Sequence, residues 1–97
     1  MTEVSMDIIN RLGLHARAAA KFVTLAGSFE SSVELGVESA GELAGGDHWV
    51  NGKSIMAVMM LAARKGMVLM MRVDGLDETE AAHRLADLVA GRFGEPE

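Results

Sequence analysis

The sequence contains no cysteine and only one proline among its 97 residues. Without cysteine the chain can form no disulfide bond, no thiolate zinc site and no thiol nucleophile, which is typical of a protein of a reducing compartment. We therefore expect a cytoplasmic location. Because 49% of the residues are hydrophobic and only 24% are charged, the chain has enough apolar surface to fold, and the disordered class is excluded.

Basic residues are also scarce, and long apolar runs are missing. Nine Lys and Arg against fourteen Asp and Glu give a formal net charge of -5, so we do not expect nucleic acid as a partner. The longest apolar runs, residues 55–63 and 67–71, fall far short of the roughly 20 residues that a membrane-spanning helix needs. The first residues include acids where a signal peptide is basic, so we expect a chain that is neither exported nor embedded in a membrane.

The pattern of apolar residues predicts a single domain over residues 1–97 with seven elements. Alternation of apolar and polar residues, or a short apolar run between glycines, indicates strands. Apolar residues three and four positions apart indicate helices, and Asp77 with Glu80 resembles a capping box at the start of the last one. The predicted elements are strand 4–8, helix 16–26, strand 33–37, strand 48–50, helix 55–64, strand 67–73 and a helix that ends near residues 91–94.

This order, βαββαβα, predicts an α+β fold built from two split βαβ units. Such units form a four-stranded antiparallel sheet with three helices on one face, a two-layer open-faced sandwich. Residues 38–47 contain three glycines and no period, so we expect a flexible hairpin loop before the third strand. A loop of that length is either functional or a tolerated insertion.

A histidine and an arginine lie at the start of the first predicted helix. His15 precedes the first turn, where backbone N–H groups lack helical partners and attract anions, and Arg17 adds a fork of donors that matches phosphate oxygens. The partial positive charge of the helix start and the charge of Arg17 both favour a neutral imidazole, with a nitrogen free to attack an electrophile. Gly13 would let a backbone or a ligand approach closely. From these residues alone, His15 could equally be a helix cap or a surface residue.

A serine and several methionines mark the second predicted helix. Ser54 is most simply a helix cap, because its hydroxyl can accept a backbone N–H. Met56, Met59 and Met60 lie three and four positions apart, on a different side from the inward Val58. They form either an exposed, adaptable apolar patch or the filling of gaps in the core.

Two segments resemble a known family. Residues 13–17, Gly-Leu-His-Ala-Arg, and residues 50–56, Val-Asn-Gly-Lys-Ser-Ile-Met, are similar to the histidine-containing phosphocarrier proteins of the bacterial phosphoenolpyruvate-dependent sugar phosphotransferase system, the HPr family. With Asp77 and Glu78 before the last helix, the resemblance covers nearly the whole chain. It implies a carrier rather than an enzyme. By this resemblance His15 accepts a phosphoryl group on Nδ1 from enzyme I and passes it to IIA components of sugar transporters, and Arg17 binds the phosphate.

The resemblance also implies a regulatory site and a docking surface. Ser54 corresponds to the serine that HPr kinase/phosphorylase modifies in many members, and Ile55, Met56 and Met59 correspond to residues that contact enzyme I and IIA proteins. A shuttling carrier is expected to be a monomer without a cofactor. Two alternatives stay open: a regulatory interaction protein of the same fold that signals phosphorylation state, and an unrelated ferredoxin-like ligand-binding domain.

Other features depart from the family pattern or call for a plain interpretation. The family usually has proline where Ala18 stands, but alanine is an excellent helix former, so we expect activity to survive. The loop over residues 38–47 is longer than the usual hairpin. His83 lies opposite the apolar stripe of the last helix and is expected to be solvated. His48 is expected in the short third strand, and three dispersed histidines without a close carboxylate make a poor metal site.

Overall fold

A computed structural model of the chain describes residues 1–39, 42–43 and 49–97. His48 and most of the predicted loop over residues 38–47 lie outside the described residues. The elements in chain order are β1 (Thr2–Asp7), α1 (Ala16–Gly27), β2 (Ser32–Ser39), β3 (Glu42–Leu43), β4 (Val50–Asn51), α2 (Ile55–Met60), β5 (Val68–Asp74), α3 (Glu78–Ala90) and a closing 3-10 turn (Arg92–Gly94).

The sheet is antiparallel throughout its described part. β5 lies between β1 and β2 and pairs with both. The outer edge of β2 pairs with β3 through Glu38 and Leu43, and further along with β4 through Leu35 and Val50. Because these two short segments share one edge, the sheet is four strands wide. The predicted order of strands and helices is confirmed, except that β3 lies within the predicted loop over residues 38–47.

The hydrophobic core lies between one face of the sheet and the helices. Along β2 and β5, alternate side chains are buried while their neighbours, such as Glu34 and Arg72, are more exposed, as the period of a strand requires. The helices contribute Phe22, Val58 and Leu85 to the same cluster. The four-stranded antiparallel sheet covered by three helices is the predicted two-layer α+β sandwich.

The second helix is shorter than the sequence predicts. It ends at Met60 rather than at residue 64, because Ala62 adopts a left-handed conformation with φ 52°. After this reversal the carbonyl of Ala63 accepts a hydrogen bond from the amide of Leu14, at 2.9 Å. The tertiary bond to the loop before α1 therefore replaces the last turn that the periodicity indicates.

The start of α3 also differs from the predicted capping box. The carboxylate of Asp77 accepts hydrogen bonds from the amides of Glu30 and Ser31, both at 2.9 Å, and thereby ties α3 to the turn before β2. The Ser31 hydroxyl and these amides lower the pKa of Asp77 to about 2. The neighbouring Glu78 accepts from Thr2 at 2.7 Å, and the hydroxyl of Thr2 together with the amino terminus lowers the pKa of Glu78 to about 2.

No helix in the described part of the chain is both long enough and apolar enough to cross a bilayer.

Candidate functional site

The N-terminus of α1 holds the first candidate side chain. His15 is the residue at which the helix begins, with extended backbone angles of φ -76° and ψ -179°, and its carbonyl accepts the amide of Ala19 at 2.8 Å. Its side chain is 26% exposed. His15 therefore precedes the first helical turn, whose amides lack helical partners, and its ring remains accessible from solvent.

The loop before His15 is fixed by a close backbone contact at Gly13. This residue has φ +66°, and a Cβ atom there would stand 2.7 Å from the carbonyl oxygen of Ala63 and 2.8 Å from the Cα atom of Arg64. Only glycine adopts this conformation readily and leaves room for the second backbone. The expected close approach at Gly13 is confirmed, and the approaching group is the segment that follows α2.

The structure brings a carboxylate to His15 that sequence reasoning missed. Nε2 of the imidazole forms a short hydrogen bond with Oε2 of Glu95. The other oxygen of Glu95 accepts from Nδ2 of the buried Asn10 at 2.9 Å, and the same Nδ2 donates to the carbonyl of Gly13 at 2.8 Å. The expectation that no histidine has a close carboxylate is therefore wrong for His15, because the residues after α3 fold back across the site.

An anchored reversal of the chain carries Glu95 to this position. Arg92 and Phe93 have positive φ values of 59° and 55°, and Gly94 follows at 80°. The side chain of Phe93 is fully buried, and its carbonyl accepts from Nζ of Lys21 in α1 at 2.7 Å. The one sequence signal for this anchor is a lone phenylalanine between two glycines after the last helix, which indicates an apolar residue held outside the helical stripe.

The carboxylates of Glu95 and Glu97, in the segment after this reversal, both have hydrogen-bond partners. Hydrogen bonding by Asn10, and then by His15, holds the pKa of Glu95 below its usual range, although burial opposes the shift. Two residues further on, the Glu97 side chain bonds Nη1 of Arg11 at 2.9 Å, while the Glu97 carbonyl accepts the Arg11 amide at 3.0 Å. The segment is therefore tied to the loop before α1 at two points.

An open cleft of about 530 Å³ brings the predicted pair together. His15, Arg17 and Glu95 all line it, and Arg11 lies at the same surface. Arg17 is exposed, so its guanidinium can reach an anion bound in the cleft. A cationic fork and free helix amides next to an imidazole form a suitable site for a phosphoryl group.

Ser54 caps α2. Its Oγ accepts the amide of Ala57 at 3.3 Å, so the capping interpretation is confirmed. The preceding Lys53 extends its amino group to the carbonyl of Phe29 at 2.8 Å, which connects the start of α2 with the turn between α1 and β2.

Exposed apolar side chains cover the outer side of α2. Ile55, Met56, Met59 and Met60 are 39%, 69%, 40% and 80% exposed, whereas Val58 is fully buried. The exposed interpretation of the methionines is thus confirmed. Leu12, in the loop before His15, is a further apolar side chain that is exposed, at 60%.

The remaining histidine of the described chain lies apart from the cleft. The side chain of His83 is 77% exposed, with Nε2 3.4 Å from a carboxylate oxygen of Asp87 one turn along α3, as expected for a solvated residue. Within residues 1–39, 42–43 and 49–97, no group of three or more His, Asp or Glu side chains is arranged to hold a metal ion.

Comparison with known proteins identifies a family for the chain. The family described as "PTS HPr component phosphorylation site" matches residues 2–91. The phosphocarrier protein HPr of Neisseria meningitidis serogroup A is 50% identical over 97 residues, and that of Pseudomonas aeruginosa is 47% identical over 97 residues, each match covering 100% of both chains. The crystal structure of HPr-C-His from Thermoanaerobacter tengcongensis superimposes with a TM-score of 0.85 at 40% identity and 100% coverage of both chains. With this fold and with a histidine at the start of α1, the chain belongs to the HPr family of phosphocarrier proteins.

Proposed function

We propose that His15 accepts a phosphoryl group that originates from phosphoenolpyruvate and is delivered by enzyme I, and that it passes the group to IIA components of sugar transporters. The protein would act as a cytoplasmic monomer. The observation that carries the proposal is the position of the His15 ring, 26% exposed at a helix start, in one cleft with Arg17.

The site supplies charge stabilisation without trapping the group. Phosphoryl transfer needs in-line positioning and neutralisation of charge on the oxygens rather than covalent help from the carrier. The first-turn amides of α1 and the Arg17 guanidinium can both bind phosphate oxygens. Glu95, which also lines the cleft, offsets this positive potential, so the phosphoryl group can leave again.

Incubation with phosphoenolpyruvate and enzyme I tests this role. We expect one phosphoryl group per chain, labile in acid and stable in base, as for a phosphoramidate on nitrogen. Its transfer from the labelled protein to a IIA protein distinguishes sugar uptake from the alternative of a purely regulatory partner. A label that resists acid, or that resides on another residue, would overturn the assignment.

We further propose that Ile55, Met56 and Met59 contact enzyme I and IIA proteins. Their exposure and the contact of the Gly13 loop with the segment that follows α2 support a docking surface near the reacting ring. Thioether side chains adapt to several shapes, which suits a carrier that meets different proteins.

Ser54 is proposed as a second, regulatory phosphorylation site for HPr kinase/phosphorylase. Phosphate at this helix start would place roughly two negative charges at the edge of the docking surface while remaining compatible with the helix dipole. We therefore expect phosphorylation to weaken docking without unfolding α2. Mass analysis after incubation with the kinase and ATP tests the site, with Ser28→Ala as a control and Ser54→Ala as the variant that loses the modification.

A further inference from the structure

We propose that Glu95 is a positioning residue that holds a proton on Nε2 of His15 and so keeps Nδ1 as the nitrogen that accepts and returns the phosphoryl group. This inference rests on the proposed role of His15. Glu95 lies beyond residues 2–91, to which the family match extends.

The hydrogen bonds of Asn10 determine which atom donates and which accepts in the contacts that link Asn10, Glu95 and His15. Its Nδ2 donates both to the carbonyl of Gly13 and to Oε1 of Glu95. Both partners are acceptors only, so the amide of Asn10 has one possible orientation. Oε2 of the ionised Glu95 is likewise an acceptor only, and its contact with Nε2 of His15 requires a hydrogen on that nitrogen. In a neutral imidazole the lone pair is then on Nδ1.

The retained proton serves both directions of transfer. In the forward step the Nδ1 lone pair forms the bond to phosphorus while the bond from phosphorus to the donor atom breaks and its electron pair leaves with the donor. The ring, now bearing phosphorus on Nδ1 and hydrogen on Nε2, is cationic, and the carboxylate of Glu95 stabilises it. In the return step an acceptor nucleophile attacks phosphorus and the electron pair of the Nδ1–P bond returns to Nδ1. Because Nε2 keeps its hydrogen, the leaving group is neutral imidazole rather than an imidazolate anion.

The surrounding charges single out Glu95 for this role. Arg17 on α1 and Arg11 before it face the same cleft, and the ammonium group of Lys21 on α1 acts electrostatically on Glu95. Glu97, the other carboxylate that lines the cleft, is bonded to Arg11. Of the two carboxylates, Glu95 is the one that contacts the ring.

The variant Glu95→Gln tests the inference, with Glu97→Gln as the matched control in the same segment. A glutamine at 95 would offer its oxygen to Asn10 and its amide hydrogens to His15, which favours hydrogen on Nδ1 instead of Nε2. We expect ¹⁵N spectra of the unphosphorylated protein to show the neutral Nε2–H form in the wild type and in Glu97→Gln. In Glu95→Gln we expect the Nδ1–H form to increase.

Transfer kinetics provide the second readout. Glu95→Gln should accept phosphoryl groups from phosphoenolpyruvate and enzyme I on the order of ten- to a hundredfold more slowly, as for other residues that orient a functional histidine. Its phosphorylated ring should lose the Nε2 proton at lower pH than in the wild type, whereas Glu97→Gln should resemble the wild type in both respects. Circular dichroism and thermal unfolding check that both variants fold.

Three results would overturn the inference. They are an unchanged tautomer in Glu95→Gln, equal rates of labelling for Glu95→Gln and Glu97→Gln, and faster labelling of Glu95→Gln than of the wild type. The last result would mean that the carboxylate hinders phosphorylation of His15. Failure of the proposed function is recognised separately. In that case wild-type His15 acquires no label, while the tautomer spectra still report whether Glu95 holds the proton.

Discussion

Gly13 and Ala63 touch through their backbones, so that a Cβ atom on Gly13 would lie 2.7 Å from the Ala63 carbonyl oxygen. This contact joins the loop that presents the candidate phosphoacceptor to the segment after α2, the helix of the proposed docking surface. The candidate site and the proposed docking surface therefore share one support.

Gly13→Ala should disturb this support. The new Cβ would meet the backbone of Ala63, and the positive φ of +66° would be strained, at a combined cost of about 1 to 3 kcal/mol in the free energy of unfolding. We also expect slower labelling of His15, because the loop must shift. The control is Gly27→Ala at the end of α1, where a Cβ meets nothing within 4 Å. Denaturant unfolding that gives equal stabilities for the two variants would contradict the role assigned to Gly13.

Arg17→Ala should slow phosphoryl transfer and leave the fold intact. The side chain is exposed in the cleft, and loss of hydrogen bonds to a charged group typically costs enough to reduce a rate on the order of tenfold or more. Arg72→Ala is the matched control, since it removes the same charge from the open face of the sheet, where Arg72 bonds Glu34 at 2.7 Å. Initial rates of labelling compare the two. Equal rates would show that Arg17 does not bind the phosphoryl group.

Met56→Glu should weaken the binding of enzyme I. The side chain is 69% exposed, so the protein should fold normally, while a charge in an apolar docking surface is expected to raise Kd about tenfold. Leu76→Glu is the control, because Leu76 is 94% exposed near the start of α3. Calorimetric titration measures both affinities, and an equal effect of the two substitutions would argue against a docking surface on α2.

Stability should fall in acid as Asp77 and Glu78 are protonated. The pKa of each is lowered to about 2 in the folded protein, from ordinary values of 3.8 and 4.5. A lowered pKa stabilises the folded state above the ordinary value, and this stabilisation disappears as the pH falls through the window from about 4.5 to about 2. Asp77→Asn should flatten the loss of stability across that window, whereas Glu80→Gln removes an exposed carboxylate of the same helix and is the control. Thermal unfolding at several pH values provides the measurement, and an identical slope for Asp77→Asn and the wild type would contradict it.

The periodic pattern of the sequence was sufficient for the order of the long elements, because each of them buries one face against a common core. It did not indicate the two-residue strand β3. The end of α2 could not be obtained in this way. Ala62 turns to the left-handed conformation so that Ala63 can bond Leu14, and that partner is distant in sequence. The helix propensity of the local residues predicts a longer helix, and the tertiary bond overrides it.

The candidate site was predictable only in part, for a related reason. His15 and Arg17 belong to one short motif at a helix start, so their proximity follows from local sequence. Glu95 is 80 residues away from His15, and it reaches the ring only because buried Phe93 anchors a reversal after α3. Without knowledge of the Phe93 anchor, the sequence alone would assign Glu95 to a solvated tail.

The identity of the labelled histidine tests the account most directly. After incubation with phosphoenolpyruvate and enzyme I, wild-type protein and His83→Ala, which alters an exposed histidine away from the cleft, should both acquire one phosphoryl group, located on His15 by peptide mapping. His15→Ala should acquire none while unfolding as the wild type does. Undiminished labelling of His15→Ala, or loss of labelling in His83→Ala, would contradict the account.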